Sequence, residues 1–297
     1  MTPDLLIIGG GPAGCAAALT AAGVGMRSLL VEREGRVCGK LHHIPALNNV
    51  LGGFRTGPDL AAAVTADLAA NPLCGVMTGT AVTGIDPGRD GVTITLDTGA
   101  RHTAPHAVLA TGVGPLQPAD CPWITAPAGM RLPTLWEADA GEASGGTWLV
   151  LGADRPLGTL LRAHPDADLK LIVLHGHEDA YKIEEVADDA RVTPIPVEGV
   201  TLDTTGGGVP TALAHLPGGE RMVWRADAVF ANLGSAPTAP PGAARDASGH
   251  CPADLQPPRL IPAGDIRSAR FQRIMTATGS GAEAALRAYY ATRDLSM

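Results

Sequence analysis

Residues 5–25, LLIIGGGPAGCAAALTAAGVG, decide the fold of the first part of this chain. A short apolar run meets three glycines at once, and an Ala-rich stretch follows that ends at glycine. This pattern predicts a buried β-strand, a tight turn and a helix. Gly9, Gly11 and Gly14 have the spacing G-x-G-x-x-G. The first glycine permits the turn, the second leaves room for a pyrophosphate, and the third lets the helix pack on the strand.

The next strand, predicted at residues 27–33 (RSLLVER), supports a dinucleotide site. Near its end lies Glu32, whose carboxylate can accept both ribose hydroxyls of a nucleotide. The N-terminus of the preceding helix offers unpaired N–H groups and the positive end of the helix dipole to phosphates. Strand, turn, helix and acid together favour dinucleotide binding over the alternative of a purely structural glycine turn.

Length, composition and charge limit the class of protein. The chain has 297 residues, of which 45% are apolar and 18% charged, which predicts packed domains rather than disorder. The net charge of −8 and the lack of a basic run argue against a nucleic-acid partner. The start has no basic segment of the signal-peptide kind, and no apolar run reaches the length of a membrane span. We therefore expect a cytoplasmic protein without a membrane partner.

Five cysteines are spread along the chain, and no two have C-x-x-C spacing: Cys15, Cys38, Cys74, Cys121 and Cys251. The spacing predicts neither a zinc site nor a local redox pair. His175 and His177, followed by Glu178 and Asp179, are a weak metal signal after a strand, and a solvated loop is the expected structure there. We predict no metal site.

The second half of the chain weakly repeats the first. Residues 147–158 (TWLVLGADRPLG) resemble the opening strand and turn, and residues 226–237 (ADAVFANLGSAP) resemble residues 105–115 (PHAVLATGVGP). The repetition predicts two similar α/β units. Between residues 75 and 112, short alternating segments predict strands in antiparallel pairs. The tail beyond residue 258 predicts a strand, a loop and a long final helix.

Five segments occur in the order found in the low-molecular-weight thioredoxin reductases: IIGGGPAGCAAAL (7–19), GKLHHIPALNNVLGGF (39–54), AVLATG (107–112), AGDI (263–266) and MTATGSGAEAAL (275–286). Nearly the whole chain resembles that superfamily of FAD flavoproteins. The resemblance implies two Rossmann-like α/β domains of the three-layer ββα type. A discontinuous FAD domain would comprise residues 1–115 and 244–297. An inserted unit like an NAD(P) domain would comprise residues 116–243, and the protein would be a homodimer.

The resemblance also implies the residues that hold FAD. Asn49 matches a flavin-contacting asparagine, and Asp265 matches the aspartate that binds the ribityl chain. The backbone N–H groups at the start of the last helix would face the flavin pyrimidine edge. The full predicted set is Gly9, Gly11, Pro12, Ala13, Gly14, Glu32, Arg33, Lys40, Leu41, Asn49, Val82, Ala110, Thr111, Gly112, Gly264, Asp265, Gln272, Arg273 and Ile274.

Three departures from the family pattern concern the middle unit. Its expected C-x-x-C region contains only Cys121, so a dithiol relay to thioredoxin is not predicted. Asp154 stands at the second glycine of the turn and Leu157 at the third, which would put a carboxylate against phosphates. Gly176 and His177 stand where the family has arginines that grip NADPH. NADP(H) binding of the usual kind is therefore doubtful.

The candidates for chemistry lie beside the predicted flavin. Lys40, His42 and His43 could donate a proton near flavin N5 or O4, although a solvated lysine and an exposed histidine are the alternative. Cys38 is either a flavin-proximal thiol or a small buried apolar residue, and Cys15 is expected in the core.

The predicted function is an FAD-dependent oxidoreductase without the dithiol relay. Its electron donor is a small molecule or a small redox protein, and neither donor nor acceptor is identified by the sequence. Two alternatives remain open: a flavoenzyme like the ferredoxin–NADP reductases of the thioredoxin-reductase type, and a flavin-binding module without turnover.

Overall fold

The computed structural model describes residues 2–138, 145–204 and 208–293, and the chain divides into two compact units. The first unit combines Met1–Gly114 with Pro237–Met297, and the second is Pro115–Ala236. Five helices are present in the described residues: α1 (Pro12–Gly23), α2 (Gly57–Ala70), α3 (Pro156–Ala163), α4 (Ala180–Ile183) and α5 (Ile274–Ala291). The predicted α/β class is confirmed.

Eighteen strands accompany these helices in the described part of the chain. In chain order they are β1 (Leu5–Ile8), β2 (Ser28–Val31), β3 (Cys74–Met77), β4 (Val82–Pro87), β5 (Val92–Leu96), β6 (Arg101–Ala104), β7 (His106–Leu109), β8 (Val113–Pro115), β9 (Ile124–Thr125), β10 (Gly146–Leu151), β11 (Leu169–His175), β12 (Val192–Pro196), β13 (Gly199–Asp203), β14 (Thr211–His215), β15 (Arg221–Trp224), β16 (Ala228–Ala231), β17 (Ser235–Pro237) and β18 (Leu260–Pro262).

The first unit is built on a parallel sheet with strand order β18-β7-β1-β2-β3. Every residue of β1 is buried, as expected for a central strand covered on both faces. Helices α1 and α5 pack closely because their contact lacks large side chains. A Cβ added to Gly281 would lie 1.9 Å from the carbonyl oxygen of Ala13, so only glycine permits this approach.

The prediction of antiparallel pairs is correct for β4, β5 and β6 and wrong for β3 and β7. Strands β4, β5 and β6 form an antiparallel meander. Strands β3 and β7 instead pair in parallel with β2 and β1 in the main sheet. The reason for β3 is the intervening helix α2, because a strand–helix–strand crossover returns the chain in the same direction. Strand β7 is buried throughout, which fits a central parallel strand.

The chain returns to the first unit at Pro237, earlier than the predicted residue 244. The residues that follow Pro237 form hydrogen bonds with earlier residues of the first unit. The Thr238 hydroxyl donates to the Thr111 carbonyl at 2.9 Å, and the Ile85 N–H donates to the Pro241 carbonyl at 2.8 Å. The Pro-rich composition of this segment resembles a linker, but its hydrogen bonds make it part of the first unit.

The second unit has a parallel sheet of order β12-β11-β10-β16 and a separate sheet of order β15-β14-β13-β9. Its opening turn repeats that of the first unit. Gly152 has φ 90° and Gly9 has φ 103°. A Cβ on Gly152 would lie 2.4 Å from the Asn232 carbonyl oxygen, and a Cβ on Gly9 would lie 2.5 Å from that of Ala110. The two turns therefore share one backbone geometry. In the described part of the chain, no helix has both the length and the apolar character needed to cross a membrane.

Candidate functional site

A cavity that is partly open to solvent lies at the carboxyl ends of β1, β2 and β7 in the first unit. We call it the glycine-turn cavity. In an open parallel sheet this is the edge at which ligands bind. It is lined by Gly9, Gly11, Pro12, Ala13, Glu32, Arg33, Glu34, Cys38, Gly39, Lys40, Ala110, Thr111, Gly112, Val113, Gly264, Asp265 and Ala277.

The three glycines of the turn have the geometry that their spacing predicts. Gly9 has a positive φ and lies against the backbone of Ala110, so a side chain is excluded there. A Cβ on Gly14 would lie 1.9 Å from the Gly9 carbonyl oxygen, which explains the close packing of helix on strand. A Cβ on Gly11 would meet no described atom within 4 Å. The space above Gly11 is therefore open to a ligand.

The N-terminus of α1 faces this open space with its own N–H groups unpaired by side chains. Gly11 is the N-cap residue, and no side chain of the described residues caps the helix. The first turn contains no acidic residue. An uncapped helix start with a positive dipole end favours a bound anion such as a pyrophosphate.

Glu32 is held at the edge of the cavity by backbone donors. Its Oε2 accepts a hydrogen bond from the Gly10 N–H at 2.5 Å, and its Oε1 accepts one from the Glu34 N–H at 2.8 Å. Each carboxylate oxygen keeps a further acceptor site for a ribose hydroxyl. A neighbouring cavity shares Glu32 and Arg33 and is also lined by Val82 and Thr80. The predicted residue Val82 therefore lies beside the glycine-turn cavity rather than in its wall.

Thr111 provides an independent test of whether the cavity suits a polar ligand. Its Oγ1 is buried and has no hydrogen-bond partner among the described residues, although its side chain belongs to a cavity wall. A buried hydroxyl without a partner costs free energy, and a ligand oxygen or nitrogen in the cavity would remove that cost. The open space above Gly11, the uncapped helix, the acid at Glu32 and this hydroxyl together fit FAD.

Lys40 and Asp265 lie in the wall of the same cavity with opposite charges. The Lys40 ammonium donates a hydrogen bond to the Val113 carbonyl. The surrounding walls shield it from water and lower its pKa, while Asp265 acts in the opposite direction. Burial likewise raises the pKa of Asp265, and the nearby charges of Lys40 and Arg273 oppose that rise.

Several predicted site residues do not line the glycine-turn cavity. Asn49 is exposed, in a segment without helix or strand. Leu41 is 2% exposed and belongs to the apolar core. His42 and His43 belong to the short 3₁₀ helix Gly39–His43, and partial burial lowers the pKa of His42. The lysine of this segment faces the cavity, whereas the two histidines do not line it.

The start of the last helix also lies beside the cavity rather than in its wall. Helix α5 begins at Ile274 with Arg273 as the N-cap, and the Arg273 N–H donates to the Thr276 hydroxyl at 3.1 Å. The Gln272 side chain donates to the Ser268 carbonyl at 3.0 Å. Of this helix, Ala277 lines the glycine-turn cavity. Its small side chain, one turn into α5, leaves room there that the sequence did not predict.

The turn of the second unit differs in charge from that of the first. Asp154 Oδ1 lies 3.6 Å from Lys182 Nζ, and Lys182 also lies 2.9 Å from Asp179 Oδ1. Burial alone would lower the pKa of Lys182, but the two aspartates raise it. Leu157 is 2% exposed and packs in the apolar core of this unit. A carboxylate and its ion pair thus occupy the turn that in the first unit is open.

Cys38 lies in the wall of the glycine-turn cavity. The sequence alone left open whether it borders the flavin site or is a buried apolar residue. Cys15 Sγ and Cys38 Sγ lie 3.8 Å apart, a contact between residues far outside C-x-x-C spacing. Helix packing brings them together, and no spacing rule contains that information. Cys15 is buried in the core as predicted. The described residues contain no group of histidine, cysteine and acidic side chains arranged to hold a metal ion.

Residues 3–153 match the family model described as pyridine nucleotide-disulphide oxidoreductase. Thioredoxin reductase of T. acidophilum is 20% identical with a TM-score of 0.79, over 98% of this chain and 99% of that one. Thioredoxin reductase of Lactococcus lactis is 22% identical with a TM-score of 0.77, over 99% and 100%.

A third similar structure is that of an enzyme with a different name. The bacillithiol disulfide reductase of Bacillus cereus is 17% identical with a TM-score of 0.71, over 97% of this chain and 99% of that one. At these identities the structural matches establish the fold. The predicted resemblance to the thioredoxin reductases is confirmed at that level.

Proposed function

The chain belongs to the pyridine nucleotide-disulphide oxidoreductase family, and we propose that it is an FAD-dependent oxidoreductase that does not take electrons from NADPH in the usual way. We further propose that it does not pass electrons through a C-x-x-C dithiol in its second unit. One observation carries the proposal: the turn that would hold a second dinucleotide contains Asp154 in an ion pair with Lys182. The corresponding turn of the first unit is open above Gly11.

The residues of the glycine-turn cavity would hold the FAD. The start of α1 would bind the pyrophosphate, Glu32 the ribose, and Thr111 a polar group of the ligand. Bound there, FAD would supply a centre that accepts and releases two electrons. Lys40 would place a positive charge in the cavity wall, and its lowered pKa suits it to release a proton from Nζ.

The ion pair of Asp154 opposes a pyrophosphate for two reasons. The phosphate charge would lie close to the Asp154 carboxylate, and like charges about 4 Å apart repel by roughly 4 kcal/mol near a protein surface. The nearby cation is Lys182, which is already shared between Asp154 and Asp179. A nicotinamide dinucleotide would have to compete with both carboxylates.

The cysteine of the second unit gives no support for a thiol relay. Cys121 is 8% exposed and packs in an apolar cluster with Ile124 and Leu132. Burial raises its pKa, and Asp120 and Asp179 add to the rise, so the nucleophilic thiolate is disfavoured. The buried thiol supports direct reduction of the flavin by its electron donor. We propose that this donor is a small molecule or a small redox protein. The homodimer implied by the sequence stays a prediction.

The proposal is tested by the visible spectrum of the purified protein followed by an acceptor screen. The expected result is a yellow protein that dithionite bleaches and whose flavin colour returns when a quinone, a disulfide or ferricyanide is added, over repeated cycles of dithionite and acceptor. A yellow protein that is bleached but shows no turnover with any acceptor would favour a flavin-binding module. A protein that stays colourless after incubation with FAD would contradict the proposed cofactor.

A further inference from the structure

Two cysteines from distant parts of the chain meet beside the glycine-turn cavity. Cys15 belongs to α1, and Cys38 precedes the 3₁₀ helix that contains Lys40. Their sulfur atoms lie 3.8 Å apart, and each residue is 1% exposed. Cys38 is also part of the cavity wall. The pair is therefore shielded from bulk solvent while one of its members borders the cavity.

A single carbonyl group holds both cysteines in place. The Gly10 carbonyl accepts a hydrogen bond from the Cys15 thiol at 3.2 Å and one from the Cys38 N–H at 2.7 Å. Cys38 has φ 58° and ψ 32°, a left-handed conformation that costs free energy for any residue with a Cβ. Strained backbone of this kind occurs at functional sites more often than elsewhere.

The two thiols differ in acidity. The contact between the two sulfur atoms lowers the pKa of Cys38, although burial and Glu32 act against it. The same interaction, together with burial, raises the pKa of Cys15. Of the two thiols, Cys38 therefore loses its proton more readily, which makes it the better candidate for the attacking sulfur, with Cys15 as the neighbouring thiol that can react afterwards.

We propose that Cys15 and Cys38 form a redox pair, a modification site that hydrogen peroxide converts into a disulfide. In the first step the Cys38 sulfur attacks one peroxide oxygen. The S–O bond forms, the O–O bond breaks, and the leaving hydroxide takes up a proton to become water. In the second step the Cys15 sulfur attacks the Cys38 sulfur. The S–S bond forms, the S–O bond breaks, and the departing oxygen leaves as a second water with the Cys15 proton.

The reaction is balanced in electrons, and the two sulfur atoms start close to each other. The two thiols lose two electrons, which the peroxide gains. The sulfur atoms must close from 3.8 Å to a bond length of about 2.05 Å. Because Cys15 lies on α1 and Cys38 borders Gly39 and Lys40, the bond cross-links two walls of the glycine-turn cavity.

The test is a thiol count with peptide mapping on the full-length protein, which has five cysteines. The reduced protein is treated with hydrogen peroxide, denatured, alkylated and digested. We expect two thiols to be lost, a single disulfide-linked peptide joining Cys15 to Cys38, and full recovery after dithiothreitol. A map in which Cys15 and Cys38 both remain alkylated, or in which either is bonded to another cysteine, would overturn the proposal.

Variants sharpen the result. Cys38→Ser should retain all four of its remaining thiols after the same treatment. Cys15→Ser should form no disulfide and should lose only the Cys38 thiol, which stops at the sulfenic acid because no partner thiol resolves it. Cys251→Ser is a matched control, since Cys251 is also buried in the first unit, and it should still lose two thiols. Loss of a thiol pair in Cys38→Ser would contradict the assignment. If a variant misfolds by circular dichroism, the peptide map of the unsubstituted protein decides alone.

Discussion

Lys182 Nζ lies 3.6 Å from Asp154 Oδ1, at the turn that leads into the first helix of the second unit. The corresponding place in the first unit is Gly11, above which no described atom would meet an added Cβ within 4 Å. Two turns with the same backbone geometry thus differ in what they present: one an open helix start, the other a paired carboxylate. This difference is the basis of the proposed function and of the first two predictions.

Gly11→Asp should abolish FAD binding. A carboxylate against the pyrophosphate at about 4 Å costs roughly 4 kcal/mol, or about a thousandfold in affinity. The measurement is the flavin-to-protein ratio after incubation with FAD. Gly35→Asp is the control, because an added Cβ there also meets no described atom within 4 Å and the residue does not line the cavity. Normal flavin content in Gly11→Asp would show that FAD does not bind with its pyrophosphate above Gly11.

Asp154→Ala should leave the FAD content unchanged, since Asp154 lies in the other unit. The partly exposed ion pair with Lys182 contributes little, so the free energy of unfolding should fall by less than about 1 kcal/mol. Denaturant unfolding and the visible spectrum check both parts. Loss of flavin from a folded Asp154→Ala protein would mean that the roles of the two units are wrongly assigned.

Thr111→Val should weaken FAD binding without destabilising the protein free of ligand. The hydroxyl has no partner in the described structure, so the apoprotein loses no hydrogen bond. With ligand present, one hydrogen bond of about 1 kcal/mol is lost, which is roughly a fivefold weaker affinity. Fluorescence titration of the apoprotein with FAD measures the change. Equal affinity in both proteins would show that Thr111 does not contact the ligand.

Asp265→Asn should change how stability depends on pH. The folded-state pKa of Asp265 is raised above its unfolded value, so the folded state binds more protons between the two values and stability falls as pH rises through them. The variant lacks this cost and should be more stable than the unsubstituted protein at neutral pH. The difference should shrink as the pH falls toward about 4. Thermal unfolding of the two apoproteins across this range tests it, and a constant difference would contradict the cause given.

The sequence predicted local features better than those that depend on packing. The dinucleotide site could be predicted because its strand, turn and acid follow one another within one short segment, which contains Gly9, Gly11, Gly14 and Glu32. The contact between Cys15 and Cys38 could not be, since it depends on how α1 meets the segment before Lys40. The pairing of Lys182 with Asp154 likewise needed the path of the chain through β11 and α4.

The direction of a strand and the boundary of a unit also depend on packing and were predicted less well. The alternating pattern of β3 predicts a strand but not its partner, and the crossover through α2 decides that partner. The segment after Pro237 has the composition of a linker, yet Thr238 bonds to Thr111 in the first unit. Asn49 was assigned by resemblance to a family motif, and the structure leaves it exposed outside the cavity wall.

An anaerobic reductive titration shows whether NADPH or NADH can donate electrons to the flavin. The FAD-loaded protein is mixed with NADPH and, separately, with NADH, while the visible flavin absorbance is followed, and dithionite then completes the reduction. We expect bleaching by dithionite and no bleaching by either nicotinamide at equimolar concentration. Rapid and complete bleaching by NADPH would contradict this expectation, and would show that the ion pair of Asp154 and Lys182 does not prevent a second dinucleotide from binding.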